Sequence, residues 1–262
     1  MTARDLHLAT RLADSAGAAI RPFYRSDFAA EAKGDASPVT EADRAAEAAM
    51  RALLDAECPA DAIIGEEYGI KEGKSGRTWV LDPIDGTVSF MAGRPIFGTL
   101  IALMEDGFPV LGVIDQCISG ERWIGAAGQK TTLNGKPVKT RPCRELSDAV
   151  LASSAPQYFG DHDAGHFMTL AAKTSRRTVW GGDCYNYGLL ASGHLDLVVE
   201  TGLKLHDFAA LVPIVEGAGG LMCDWNGEPL HAASAEEGGA HVIALGDPAR
   251  LEDVLEGLAC TH

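Results

Sequence analysis

Trp79-Val80-Leu81-Asp82-Pro83-Ile84-Asp85-Gly86-Thr87 joins a short apolar run to two acids, a proline, a glycine and a threonine. The run has the length and composition of a buried strand, and it stops abruptly at Asp82. A turn alone could use Asp-Pro or Asp-Gly; the six residues 82–87 together exceed what a turn requires. Asp82 and Asp85 are spaced to serve one cation-binding corner, Pro83 stiffens the connection, and Gly86 lets the backbone approach an anion closely. The N–H groups of Gly86 and Thr87, at the head of a following helix, suit phosphate oxygens, and the Thr87 hydroxyl can orient an attacking water. Hard oxygen ligands of this kind suit Mg²⁺. Two such ions about 4 Å apart can clamp a phosphoryl group between its attacking and leaving oxygens.

Two further acidic clusters lie outward from this stretch. Upstream, Ala62-Ile63-Ile64 runs into Gly65-Glu66-Glu67; downstream, Asp207 opens an apolar helix that ends in Glu216-Gly217-Ala218-Gly219-Gly220. Taken singly these are weak signals. Gly-Glu-Glu fits a solvated turn, Asp207 fits a helix N-cap, and Asp43 completes a capping box in Thr40-Glu41-Ala42-Asp43.

The rest of the chain supplies the frame. Leu6, Ala9, Leu12, Ala13, Ala16, Ile20 and Phe23 recur at helical spacing, which predicts a helix over residues 4–24. A polar loop follows over 26–38, then a second helix to about Glu57. Residues 96–103 and 109–114 read as strands joined by a Glu105-Asp106-Gly107 hairpin, 122–126 as a third strand, and Asn134-Gly135 as a turn. Beyond residue 144 the pattern alternates. Strand-like runs at 149–153, 179–180, 195–199, 221–222 and 241–245 are separated by helical segments at 162–173, 183–191 and 207–217. The fold class expected is therefore α/β: an α+β half over residues 1–144 that binds metal, and an α/β half over 145–262 that selects substrate.

Composition narrows the function. A chain of 262 residues with 46% hydrophobic and 23% charged residues is ordinary for a globular protein. No stretch approaches the roughly 18 apolar residues of a membrane span, and Arg4, Asp5, Arg11 and Asp14 interrupt the N-terminus in a way a secretory signal would not. The expectation is a cytoplasmic protein with no membrane partner. The formal net charge of -15 argues against nucleic acid. It is also awkward for an anionic substrate, unless part of the acidity holds cations that invert the local field. Six scattered cysteines without a CxxC pair read as reduced, mostly buried thiols, not a zinc site.

With these residues in view, the chain resembles the inositol monophosphatase superfamily of Mg²⁺-dependent, lithium-sensitive phosphatases. Ile64-Gly65-Glu66-Glu67, residues 79–87, and Asp207 with Glu216-Gly217-Ala218-Gly219-Gly220 occur in that family's order, and the likeness spans almost the whole chain. The resemblance implies a layered αβαβα sandwich and a homodimer acting on a small phosphomonoester. It implies that Glu66, Asp82 and the Ile84 carbonyl bind one Mg²⁺ and that Asp82, Asp85 and Asp207 bind a second. A third, weaker ion is allowed near Glu66, and Glu66 and Asp43 join Thr87 as catalytic residues, Asp43 supporting Thr87 in activating water. Lys33 falls where the family often has a basic residue. One departure stands out: the family commonly has Trp before the last metal-binding Asp, and this chain has His206, expected to pack or line the pocket.

Substrate choice is expected outside the metal motifs, in Trp180-Gly181-Gly182-Asp183-Cys184-Tyr185-Asn186-Tyr187-Gly188 and the run leading to Glu200. The position of Asp183 is usually small and uncharged in inositol-specific members. An acid there adds charge to an acidic site unless a cation pairs with it. Residues 90–103, 181–200 and 210–213 resemble the histidinol-phosphatase branch, which serves histidine biosynthesis and whose substrate carries an ammonium and an imidazole. Substrate contacts are accordingly expected at Gly86, Thr87, Gly182, Asp183, Asn186 and Glu200, with helix capping as the plain structural role for Asp183. The alternatives are an inositol or broad sugar-phosphate phosphatase and, in another class, a silent metal- or phosphate-binding protein, for which Thr87 would have no use.

Overall fold

The structure is a computed structural model that describes residues 2–26, 30–32, 38–174, 178–235 and 238–259. The elements in chain order are α1 (Ala3–Ile20), β1 (Ala30–Ala32), β2 (Pro38–Thr40), α2 (Glu41–Glu57), β3 (Ala62–Gly65), β4 (Gly69–Lys71), β5 (Arg77–Asp85), α3 (Thr87–Met91), β6 (Gly98–Glu105), β7 (Phe108–Gln116), β8 (Glu121–Ala126), β9 (Thr132–Leu133) and β10 (Lys136–Pro137). There follow β11 (Leu151–Ser153), α4 (Asp161–Lys173), β12 (Thr178–Trp180), α5 (Asp183–Ala191), β13 (Leu197–Leu203), α6 (Leu205–Phe208), α7 (Leu211–Gly217), β14 (Leu221–Asp224), β15 (Ala240–Leu245) and α8 (Leu251–Leu258).

These elements stack in five layers. An eight-stranded sheet, ordered β10-β9-β8-β7-β6-β5-β3-β4, carries α1 and α2 on one face and α5, α6 and α7 on the other. A five-stranded sheet, ordered β12-β11-β13-β15-β14, covers the far side of those central helices, and α4 and α8 close its outer face. Strands buried on both faces lose the polar-apolar alternation and read as continuous apolar runs. In β5, Trp79 and Leu81 join the α1–α2 core while Val80 joins the core beneath the central helices. The second core runs across both sheets, holding Val80, Leu100 and Trp123 together with Val198, Phe208 and Ile214.

The central layer sits unusually close to the first sheet. A Cβ at Gly112 in β7 would lie 1.8 Å from the Ala210 carbonyl oxygen, and one at Gly125 in β8 would lie 2.3 Å from that of Pro213. Two missing side chains thus let helix backbone rest on strand backbone, which fixes how far residues 205–217 stand from β5.

Three expectations need correction. The helix foreseen over 207–217 is two pieces, α6 and α7, separated at Ala209 and Ala210. Pro213 has no N–H to offer the Ala209 carbonyl and would crowd it, so a single helix cannot run through. Asp207 therefore opens no helix: it sits in the third position of α6, where its Oδ2 accepts from the Lys204 N–H at 2.7 Å. The loop foreseen over 26–38 contains β1, which pairs antiparallel with β2. Lys33, and the side chain of Thr40 that would complete the capping box, lie outside what is described. Among the described residues, no helix is long and apolar enough to cross a membrane. The described cysteines are free, and all but the partly exposed Cys58 are buried.

Candidate active site

β5 is the element on which the site is built. In a regular strand, residues three apart point to opposite faces. Between Asp82 and Asp85 the pairing with β6 shifts, from Asp82 opposite Leu100 to Asp85 opposite Gly98, so that one extra residue is accommodated on β5. A bulge of this kind reverses the parity and turns both acids to the same face. Pro83 occupies the bulge, where no ladder hydrogen bond is asked of it, and its carbonyl accepts from Thr99 Oγ1 at 2.7 Å.

β3 runs parallel to β5, with Ile64 opposite Val80 and Gly65 opposite Leu81, so Glu66 leaves the sheet beside Asp82. Its N–H donates to the Leu81 carbonyl at 3.2 Å. From the other side α6 brings Asp207. Oxygens of Asp82, Asp85 and Asp207 lie within 4.8 Å of one another; a second group, Glu66, Asp82 and a ring nitrogen of His206, meets the same limit. Asp82 is common to both, so the two groups of converging side chains share a corner.

The electrostatics of the corner call for cations. Asp82 is 2% exposed, and its Oδ1 is buried with no hydrogen-bond partner. Burial, then the charges of Glu66, Asp85, Asp207 and Asp43, push its carboxyl well above the usual range. Burial, then Asp183 and Asp207, do the same to Asp85, against the opposing donation of the Cys184 N–H at 2.6 Å. Asp207 is also raised by burial, with the neighbouring His206 acting the other way. Buried acids that repel one another, one of them with an unpartnered oxygen, are stabilised by divalent ions, and an all-oxygen set such as Asp82, Asp85 and Asp207 fits Mg²⁺.

Beside the corner, Thr87 Oγ1 donates to the Ile84 carbonyl at 3.1 Å, leaving its lone pairs to accept. Asp43 is buried in α2, close enough for its charge to act on Asp82. Gly86 has φ +85, and a Cβ there would lie 2.6 Å from Asp183 Oδ2. Glycine is therefore required twice over, for its left-handed backbone and for the carboxylate lying across it.

A cleft of ≈ 540 Å³ opens from the corner, its floor including Asp85 and Asp207 and its walls including Ser154, Tyr158, Asp183 and Glu200. The walls come from β11, β12 and β13, mutually parallel neighbours whose C-terminal ends face the first sheet's acids. Ligands commonly bind at such strand ends in α/β sheets.

The substrate-contact candidates separate here. Asp183 is not the cap of α5: Gly182 occupies that position with φ +122, and Asp183 follows with φ +43, its Oδ2 accepting from Ser89 Oγ at 3.0 Å. Burial raises its carboxyl, opposed by hydrogen bonds from Ser89 and Ser154 and by the charge of Arg94. Glu200 is buried and accepts from the Ser154 N–H at 2.8 Å, from Ser154 Oγ, and from Tyr187 OH at 2.8 Å. Burial lifts it to about 7 despite those donors. Asn186 is buried, its Nδ2 donating to the Gly181 carbonyl at 3.1 Å; it steadies the Gly181-Gly182 turn and does not line the cleft. Ser154 and Tyr158 also line the cleft, and only the order β12-β11-β13 reveals them.

Comparison with known proteins agrees with this architecture. The family model described as the inositol monophosphatase family matches residues 3–254. A bifunctional phosphatase IMPL2, chloroplastic, of Arabidopsis thaliana is 46% identical over 252 residues, 94% of this chain and 72% of that one. A histidinol-phosphatase of Chlorobaculum parvum is 35% identical over 254 residues, 94% of this chain and 98% of that one. The solved structure of an inositol monophosphatase from Zymomonas mobilis superposes with a TM-score of 0.88 at 52% identity, covering 98% of this chain and 99% of the other.

Proposed function

Because the chain belongs to the inositol monophosphatase family, a family of Mg²⁺-dependent phosphatases, we propose that it hydrolyses histidinol phosphate with two bound cations. In this reading Glu66, Asp82 and the Ile84 carbonyl hold the first ion, and Asp82, Asp85 and Asp207 hold the second; a third, weaker site near Glu66 is allowed. Bound divalent cations polarise phosphoryl oxygens, lower the pKa of water and neutralise a leaving oxygen. The protein's own part is to position. Thr87, its hydroxyl 3.1 Å from the Ile84 carbonyl, has lone pairs with which to accept from the attacking water and aim it; Asp43 supports Thr87, and Glu66 joins them in catalysis. Gly86 and Thr87 turn their N–H groups to the phosphate. Residues 1–144 supply most of the metal chemistry and residues 145–262 the specificity, with Asp207 crossing between them. The protein works as a cytoplasmic homodimer.

One observation supports the substrate: Asp183 places a carboxylate on the cleft wall, across Gly86, where neither group of converging ligands uses it. A cationic substrate end converts that buried charge from a liability into a contact. Tyr158, whose hydroxyl is pushed up by burial and then by Asp183, Asp85 and Glu200, offers an aromatic face beside the same acids. Its ring can meet an imidazolium. Glu200 and the Gly182-Asn186 turn stand behind, setting Ser154 and Asp183 in place.

The 52% identity between this chain and the Zymomonas mobilis protein, which is called an inositol monophosphatase, favours a second reading in which inositol or other sugar phosphates are the substrate. The two are separated by kcat/KM for histidinol phosphate and inositol phosphate, measured side by side with saturating Mg²⁺. A preference of at least tenfold for histidinol phosphate is expected. Equal or reversed constants would transfer the assignment to inositol or sugar phosphates, and no turnover of either would favour a silent binding protein.

A further inference from the structure

His206, expected to pack or line the pocket, stands in the structure beside the acids of the corner. One of its ring nitrogens lies within 4.8 Å of carboxylate oxygens of both Glu66 and Asp82, which themselves meet the same limit. Its side chain is 12% exposed, and its Nε2 is 3.4 Å from Asp207 Oδ1. The ring thus stands beside Glu66 and Asp82, where the family commonly has a tryptophan. That substitution changes the chemistry of the corner. An indole presents only an N–H donor and cannot ligate, whereas a neutral imidazole carries a lone pair and is among the commonest of metal ligands.

The two cation positions therefore differ in their donor atoms. Asp82, Asp85 and Asp207 make an all-oxygen set, suited to Mg²⁺. Glu66, Asp82 and His206 make a mixed oxygen–nitrogen set. Mg²⁺ gains little from imidazole, while first-row transition ions bind it increasingly well from Mn²⁺ toward Cu²⁺. We propose that His206 supplies a nitrogen ligand to the cation held by Glu66 and Asp82, so that this position takes a transition ion such as Mn²⁺ in preference to Mg²⁺ while its neighbour remains a Mg²⁺ position. The proposal rests on the two-cation reading above and deepens it: one corner, two ions of different kind.

Electron spin echo spectroscopy of Mn²⁺ added to the chelator-stripped full-length protein tests this without reference to turnover. The expected result is bound Mn²⁺ with a ¹⁴N modulation in the wild-type spectrum that is absent in His206→Phe and His206→Trp. In the same variants the Kd for Mn²⁺ at this position rises about 10- to 100-fold, the range seen when metal-site support is removed. The Kd for Mg²⁺, read by calorimetry, moves by less than about threefold. Mn²⁺ bound to wild type without nitrogen modulation, or modulation that survives both substitutions, overturns the role of His206 and leaves the two-cation reading standing. If the protein binds no Mn²⁺, both fall. The wild-type spectrum decides the matter even if a variant folds poorly.

Discussion

The corner around Asp82 and the cleft wall around Glu200 both bury acids, and they treat them oppositely. At the wall, Glu200 is met by three donors, two from Ser154 and one from Tyr187. At the corner, Asp82 Oδ1 is buried without any donor, and its nearest charges are other carboxylates. A buried acid supplied with hydroxyl and amide donors is part of the protein's internal bonding. One left bare among like charges is incomplete until something positive arrives. The same residue type thus serves as scaffold in one region and as a candidate ligand set in the other, and the local supply of donors separates the roles.

The contrast predicts that the corner is far less tolerant than the wall. Asp82→Asn removes the carboxylate shared by both converging groups and should lower kcat by at least about 10³, several kcal/mol of lost charge stabilisation at about 1.4 kcal/mol per tenfold. Wild type should gain about 2.7 kcal/mol of stability at Mg²⁺ one hundredfold above its Kd, and lose it with activity in excess chelator. Asp82→Asn should show neither response in a thermal melt. A variant that kept full activity, or wild type active in chelator, would end the cation reading of the corner.

Next in size is Thr87, which stands between the two regions. Thr87→Ala should reduce kcat by about 10²- to 10⁴-fold with little change in KM, the signature of a group acting mainly in the transition state. Thr87→Ser should recover most of the rate. Equal damage from both substitutions would mean that the methyl group's packing, not the hydroxyl, explains the residue.

Asp183 tests whether the wall reads charge. Asn tolerates the left-handed backbone that Asp183 adopts at φ +43, so Asp183→Asn should fold. It should lose about 10- to 100-fold in kcat/KM on histidinol phosphate, since a charge-assisted hydrogen bond is worth about 1.5–3 kcal/mol. On inositol phosphate it should stay within about threefold of wild type. Equal losses on both esters would move Asp183 from the wall to the corner in function.

The smallest effect on turnover is expected at Glu200, whose signature is a pH dependence of stability. Its carboxyl is raised from 4.5 to about 7 in the folded protein. Between those values the native state holds a proton that the unfolded chain has released, so stability falls as pH rises through the window. The share of this one group is on the order of 3 kcal/mol. Asp82, Asp85 and Asp207 are raised as well and slope the same way, so the informative quantity is a difference. In chelator, the Tm of Glu200→Gln relative to wild type should climb by several degrees from pH 4.5 to 7.5. A constant offset across that range would show that Glu200 does not titrate there.

How much of this was legible in advance follows from how the information is distributed along the chain. Residues 82–87 are contiguous, so their chemistry could be read directly, and Glu66 and Asp207 became readable once that motif gave them a context. The bulge that turns Asp82 and Asp85 to one face was not readable, because it exists only in the pairing of β5 with β6. Asp183 was legible as an unexpected acid, but its backbone conformation and its contact with Ser89 were not. Ser154 and Tyr158 were invisible for a similar reason, since they reach the cleft through the order of three strands well separated in sequence. His206 was noticed as a departure, yet nothing local to it announces Glu66 and Asp82 as neighbours.

Gly112 and Gly125, the two places where helix backbone rests on strand backbone, carry a consequence for the timing of folding. Glu66, Asp82 and Asp85 belong to the sheet on one side of that seam, and Asp207 arrives with the helices on the other. Nearby contacts form early in folding, whereas those that close long stretches of chain come later because more disorder must be given up first. A chain that has formed its first sheet but not yet docked α6 and α7 lacks Asp207 and His206 from the two groups of converging side chains. During refolding, activity is therefore expected only once α6 and α7 have closed that seam.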